Sequence, residues 1–107
     1  MKKSVIINLE NTKREAVDYL ARLAYELQAN KDVIAELIER NKDNVSFLDS
    51  PIFKEYHHRF EKAVGAFKIA QDEFGDANIP SEFKNNPTAV WTLTYNTYDL
   101  KIEYDEV

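Results

Sequence analysis

The spacing of apolar residues changes period twice along this chain. Ser4 to Leu9 is rich in β-branched residues and predicts a short strand over 4–9. Thr12-Lys13-Arg14-Glu15 then has the form of a capping box, in which the hydroxyl and the carboxylate each satisfy a backbone N–H. Beyond it Ala16, Leu20, Leu23, Leu27, Asn30, Ile34 and Leu37 step by fours and threes, a heptad seam that Val17, Ala24 and Ile38 widen. One long helix over 12–41 is expected. Asn30 either fixes register from within the seam or caps a second helix, if the chain breaks at Asn30-Lys31-Asp32.

A polar, turn-forming stretch from Asn41 leads to Ser50-Pro51, a capping residue followed by one that suits a first helical turn because it has no N–H to satisfy. The second helix is expected over 50–75, with Gly75 as its stop. Its seam is Phe53, Tyr56, Phe60, Ala63, Phe67, Ala70 and Phe74, large residues alternating with small ones in a way that suits interdigitated packing. Two such helices joined by a short polar link make an antiparallel hairpin.

After a polar connection over 76–87, the period becomes two. Trp91, Leu93 and Tyr95 alternate with threonines, and Leu100, Ile102 and Tyr104 alternate with Lys101 and Glu103, predicting a β-hairpin with strands at 90–95 and 100–105. A two-residue and a four-residue loop both keep the apolar residues on one face. A hairpin alone is marginal in water, so it is expected to join the N-terminal strand. The fold class expected is α+β, mostly α: an antiparallel long-helix hairpin with a small antiparallel sheet, in a single domain over 1–107.

Composition narrows the function. The 107 residues suit one modest core, which burial of a further apolar strip in a homodimer or a complex would assist. The absence of cysteine removes disulfides, thiolate metal sites and cysteine nucleophiles. Met1-Lys2-Lys3 opens like a signal peptide, but the apolar run is too short for secretion and no segment approaches a membrane span, so a cytoplasmic, non-membrane protein is expected. A net charge of −5 with interleaved cations argues against direct nucleic-acid binding.

Candidate chemistry is sparse. Glu55 and His58 have Glu-x-x-His spacing, and His57 and Glu61 form a second same-face pair. A carboxylate-bridged metal site needs two such motifs and two further glutamates, which only a dimer would supply, and Phe53, Tyr56 and Phe60 define an inward face that leaves His58 off it. No metal site or cofactor is expected. The four serines sit at ends or in loops outside any nucleophile turn, and two glycines build no phosphate-cradling loop, so no catalytic residue is assigned and the chain is read as not an enzyme. The most suggestive feature is the aromatic tail. Trp91, Tyr95, Tyr98 and Tyr104 are candidate partner-binding residues, since aromatics anchor contact surfaces and a free sheet edge accepts an extended peptide. Trp91 and its same-face neighbours would equally serve to cover the helices.

The segment Trp91-Thr92-Leu93-Thr94-Tyr95-Asn96-Thr97-Tyr98-Asp99-Leu100-Lys101-Ile102, following a helix that ends in an aromatic residue, resembles the closing strand pair of small accessory proteins of cysteine-repeat (CXXX) peptide modification systems. Those proteins are typically shorter, and the Asp76–Val90 loop here is long for them. The resemblance implies an auxiliary role beside a peptide-modifying enzyme and transfers no catalytic residue.

The expected function is a non-catalytic peptide- or protein-binding accessory module. A phage or mobile-element inhibitor that blocks a host enzyme through an acidic surface is the first alternative. The second is a dimeric metal-carboxylate helical protein centred on Glu55, His58 and Glu61.

Overall fold

Residue preferences place each element of the structure, a computed structural model that describes residues 1–106. Strand β1 (Lys2–Asn8) ends where Leu9 leaves the ladder: its N–H donates to the Tyr98 carbonyl at 2.8 Å, and its own carbonyl accepts the N–H groups of Thr12 and Lys13. That turn delays helix α1 (Arg14–Arg40). The Lys13 carbonyl accepts the first helical bond, from Val17, so Lys13 and not Thr12 occupies the cap position. The helix is unbroken at Asn30, whose side-chain amide donates to the Glu26 carbonyl one turn back at 2.8 Å. The polar member of the seam is satisfied by its own helix.

A 3₁₀ turn over Val45–Asp49 leads into helix α2 (Pro51–Asn78). Ser50 caps as expected, its hydroxyl accepting the Phe53 N–H at 3.3 Å, with Pro51 in the first turn. Gly75 does not end this helix. It keeps a negative φ, and the helix runs three residues further until Ile79-Pro80 forbids continuation. The connection expected over 76–87 is therefore partly helical, and it also holds the short helix α3 (Ser81–Lys84).

Strands β2 (Val90–Thr94) and β3 (Asp99–Asp105) complete a three-stranded antiparallel sheet in the order β1-β3-β2. β3 is central: Ile102 faces Val5 on one side and Trp91 on the other, and Leu100 faces Ile7 and Leu93. The hairpin loop has four residues, Tyr95 to Tyr98, and Tyr98 turns the corner with a left-handed φ of 59°. The mostly α, α+β architecture follows, with an antiparallel helical hairpin and a small sheet.

The chain divides into two compact units. The sheet unit combines residues 1–21 with the segment from Asp72 onward, and the helical unit is Arg22–Gln71. The sheet unit buries Leu9, Val17, Leu20, Phe74, Leu100 and Ile102, with Val17, Leu100 and Ile102 fully inaccessible. A side chain of that size withdrawn from water contributes roughly 1.5–3 kcal/mol, so these three are the centre of the sheet unit's stability. The helical unit buries only Leu23, Phe53 and Ala70 to that degree. Of the expected seam residues only Ile38 is exposed, and most of the others are half-buried.

Candidate interaction surface

The four tail aromatics lie in the sheet unit, and the structure gives three of them partners within the chain. Trp91, on β2, sits on the last turns of α2, with its ring 5.7 Å from Phe74. A Cβ built on Gly75 would lie 3.4 Å from the indole nitrogen. The glycine that sequence reading assigned to a helix stop thus provides the flat place on which Trp91 rests. Tyr104, on β3, packs 5.0 Å from Phe83 of α3. Tyr98 donates its hydroxyl to Asp18 at 2.9 Å, under an Arg14 guanidinium 5.4 Å from the ring centre. The bond to Asp18 first, and burial second, raise the Tyr98 pKa against the opposing pull of Arg14. Tyr95 is half-buried in the loop, and burial raises its pKa as well.

Packing therefore holds Trp91 and Tyr104 as backing for the sheet, and the surface beside them is made of backbone. β2 has a strand neighbour on one side only. Its outward residues Val90, Thr92 and Thr94 are exposed, Val90 to 64%. The strand reads Val-Trp-Thr-Leu-Thr, with none of the charges, prolines or bulges that blunt an edge against further pairing. β1, the opposite edge, begins with Lys2 and Lys3, the residues that discourage such pairing, and Lys3 is held to Glu106 at 2.9 Å.

The ends of the β2–β3 pair are fastened by side chains. Asn8 donates to the Thr97 carbonyl and to Asp99, at 3.0 and 2.9 Å. Where β2 has not yet begun, Thr88 accepts the Asp105 N–H at 2.9 Å and Asn86 donates to the Asp105 carbonyl at 3.1 Å. Side chains thus stand in for strand partners at the end of β3, and the edge of β2 is presented on a braced frame.

Charge is divided unevenly. The helical unit carries eight Lys and Arg against eight Asp and Glu, whereas the sheet unit carries six against eleven. The net charge of −5 therefore belongs to the sheet unit. Asp99, Glu103 and Asp105 share the outward face of β3 with Lys101, alongside the exposed face of β2. The spacing of residues shows the aromatics but neither this division nor the identity of the open edge, because the first depends on how the chain divides into units and the second on strand order.

The Glu55, His58 and Glu61 set lies in the helical unit. Glu55 pairs with Arg59 at 2.8 Å and Glu61 lies 3.1 Å from His57 Nδ1. Both carboxylates are thus engaged along the helix. Among the described residues no three His, Asp or Glu side chains converge as metal ligands. Both histidines, with Leu48, Phe53, Lys54 and Glu61, line an open depression of about 310 Å³. No helix among the described residues is long and apolar enough to cross a membrane.

No family model matches the sequence, and no curated protein or solved structure shows significant similarity to it.

Proposed function

We propose that this chain is a non-catalytic, cytoplasmic binding module that holds an extended peptide, or an extended segment of a partner protein, as a fourth strand on the edge of β2. The observation that carries this reading is the five-residue uncharged edge, braced at both ends and backed by Trp91 on Phe74 and Gly75. Main-chain hydrogen bonds along such an edge supply affinity, and alternate side chains of the added strand supply selectivity. The unit's excess of eleven acidic over six basic residues favours a peptide carrying Lys or Arg. An auxiliary role beside a peptide-modifying enzyme, as the tail segment's resemblance implies, is consistent with holding a substrate in extended form.

The test uses Trp91, the chain's one tryptophan, as reporter in titrations with extended basic and acidic peptides of equal length. Basic peptides should shift its emission saturably. Val90→Lys and Thr92→Lys place edge charges at exposed positions, so binding should weaken tenfold or more while circular dichroism stays native. Unchanged binding in both variants would sink strand addition at this edge.

The same charge division supports a second reading, an inhibitor encoded by a phage or mobile element that seats its acidic sheet unit in a basic groove of a host enzyme. That contact would survive Val90→Lys and fail on neutralising Glu103 and Asp105.

A further inference from the structure

The sheet unit buries six core residues, whereas the longer seams of the helical unit bury only Leu23, Phe53 and Ala70. Along the middle of the hairpin Leu27, Ile34 and Leu37 from α1 and Tyr56, Phe60 and Phe67 from α2 are all only half-buried. These are the seam residues that the heptad spacing directs inward, and two helices alone leave both flanks of such a seam open to water. One turn beyond two of them, Ile38 is 46% and Val64 40% exposed; they follow Ile34 and Phe60 by four residues and so extend the same faces.

We propose that the helical unit is a self-association surface, through which two copies of this chain close their hairpins into a four-helix bundle. Exposed apolar side chains are the first argument. Of the twelve large hydrophobic side chains exposed among the described residues, eight lie in the helical unit, Ile38 and Val64 among them. A second copy of the same hairpin offers a matching apolar face against which to bury them.

Charge is the second argument, and it selects a second copy over a charged partner. With eight basic and eight acidic residues the helical unit has no net charge, so two identical units meet without net repulsion. Its ion pairs Glu36–Arg40, Lys42–Glu39 and Glu55–Arg59 are local and close within one turn, leaving no block of one sign to steer a partner of the other. Two-fold symmetry presents the same patch on both sides, so large Phe60 and Phe67 meet gaps beside Ala63 in the matching seam.

The proposal is independent of strand addition at β2. Sedimentation equilibrium of the full chain over a hundredfold concentration range should show a reversible shift from 12.5 kDa to twice that mass. The double variant Ile38→Glu and Val64→Glu, placed at exposed positions, should stay at monomer mass with helicity retained at high dilution. In the unmodified protein, amide exchange in 34–38 and 60–67 should slow as concentration rises, while exchange in β2 does not. A monomer at every concentration would overturn the proposal. So would a dimer that survives the double variant, or one whose concentration-dependent protection lies in β2, which would make the sheet edge the contact.

Discussion

Tyr98 is constrained in three ways at once. It takes a left-handed backbone that bulky residues rarely adopt, gives its carbonyl to Leu9, and ties its hydroxyl to Asp18. Such a conformation persists only where surrounding contacts over-determine it. Its phenol and that of Tyr95 are both held above the ordinary value of 10.0, by the Asp18 bond and by burial respectively. A raised pKa means that the fold favours the protonated phenol. The stabilisation is whole below pH 10 and is lost as pH climbs through and past the folded-state values. Absorbance at 295 nm should therefore show a late phase of phenol ionisation, and Tyr98→Phe should remove part of it. A late phase left unchanged by Tyr98→Phe, or no late phase at all, would refute the arrangement.

Gly75 shows how an element can be continuous where its composition suggests an end. Its φ is negative, so the freedom that glycine offers is unused in the backbone. Gly75→Ala adds a Cβ at ordinary contact distances of 3.4 to 3.7 Å from Trp91 and removes a flexible residue from a helix. It should stabilise the protein by about 0.5–1 kcal/mol, a rise of a few degrees in melting temperature. A lower melting temperature with altered tryptophan emission would mean that the indole had been displaced. The periods of four-and-three and of two were legible because they report which face is buried, and that is how both long helices and the hairpin strands were found. The cap expected at Thr12 is displaced because the Leu9 carbonyl takes the Thr12 and Lys13 N–H groups, and the stop expected at Gly75 is displaced because Gly75 keeps a helical φ and the chain stays helical until Pro80. The candidate aromatics were legible as residue types, but the neighbours that hold them were not: Phe74, Phe83 and Asp18 are reached only through the fold. The strand order that opens β2 has no local signal apart from the lysines of β1.

For the whole molecule, the division of charge assigns different physics to the two proposed contacts. A basic peptide drawn to the acidic sheet unit gains from exposed charges that salt screens within about 10 Å at 0.1 M. Association of neutral helical units rests on apolar burial, which salt does not weaken. Raising ionic strength from 50 to 500 mM should weaken peptide binding severalfold and leave the dimer constant unchanged or slightly stronger. Parallel loss of both would place charge at the helical contact and contradict the account given for it.

The sheet also brings Met1 and Glu106 to one place. The Glu106 N–H donates to the Met1 carbonyl at 3.2 Å, and Lys3 reaches Glu106 beside it. The described polypeptide is thus almost a closed ring. A few glycines linking its ends would make it circular with little strain, and the ring could be reopened in the turn between the long helices to give a permuted chain with the same contacts. Anything fused to both ends would emerge side by side from one edge of the sheet, held together like two leads on a single plug.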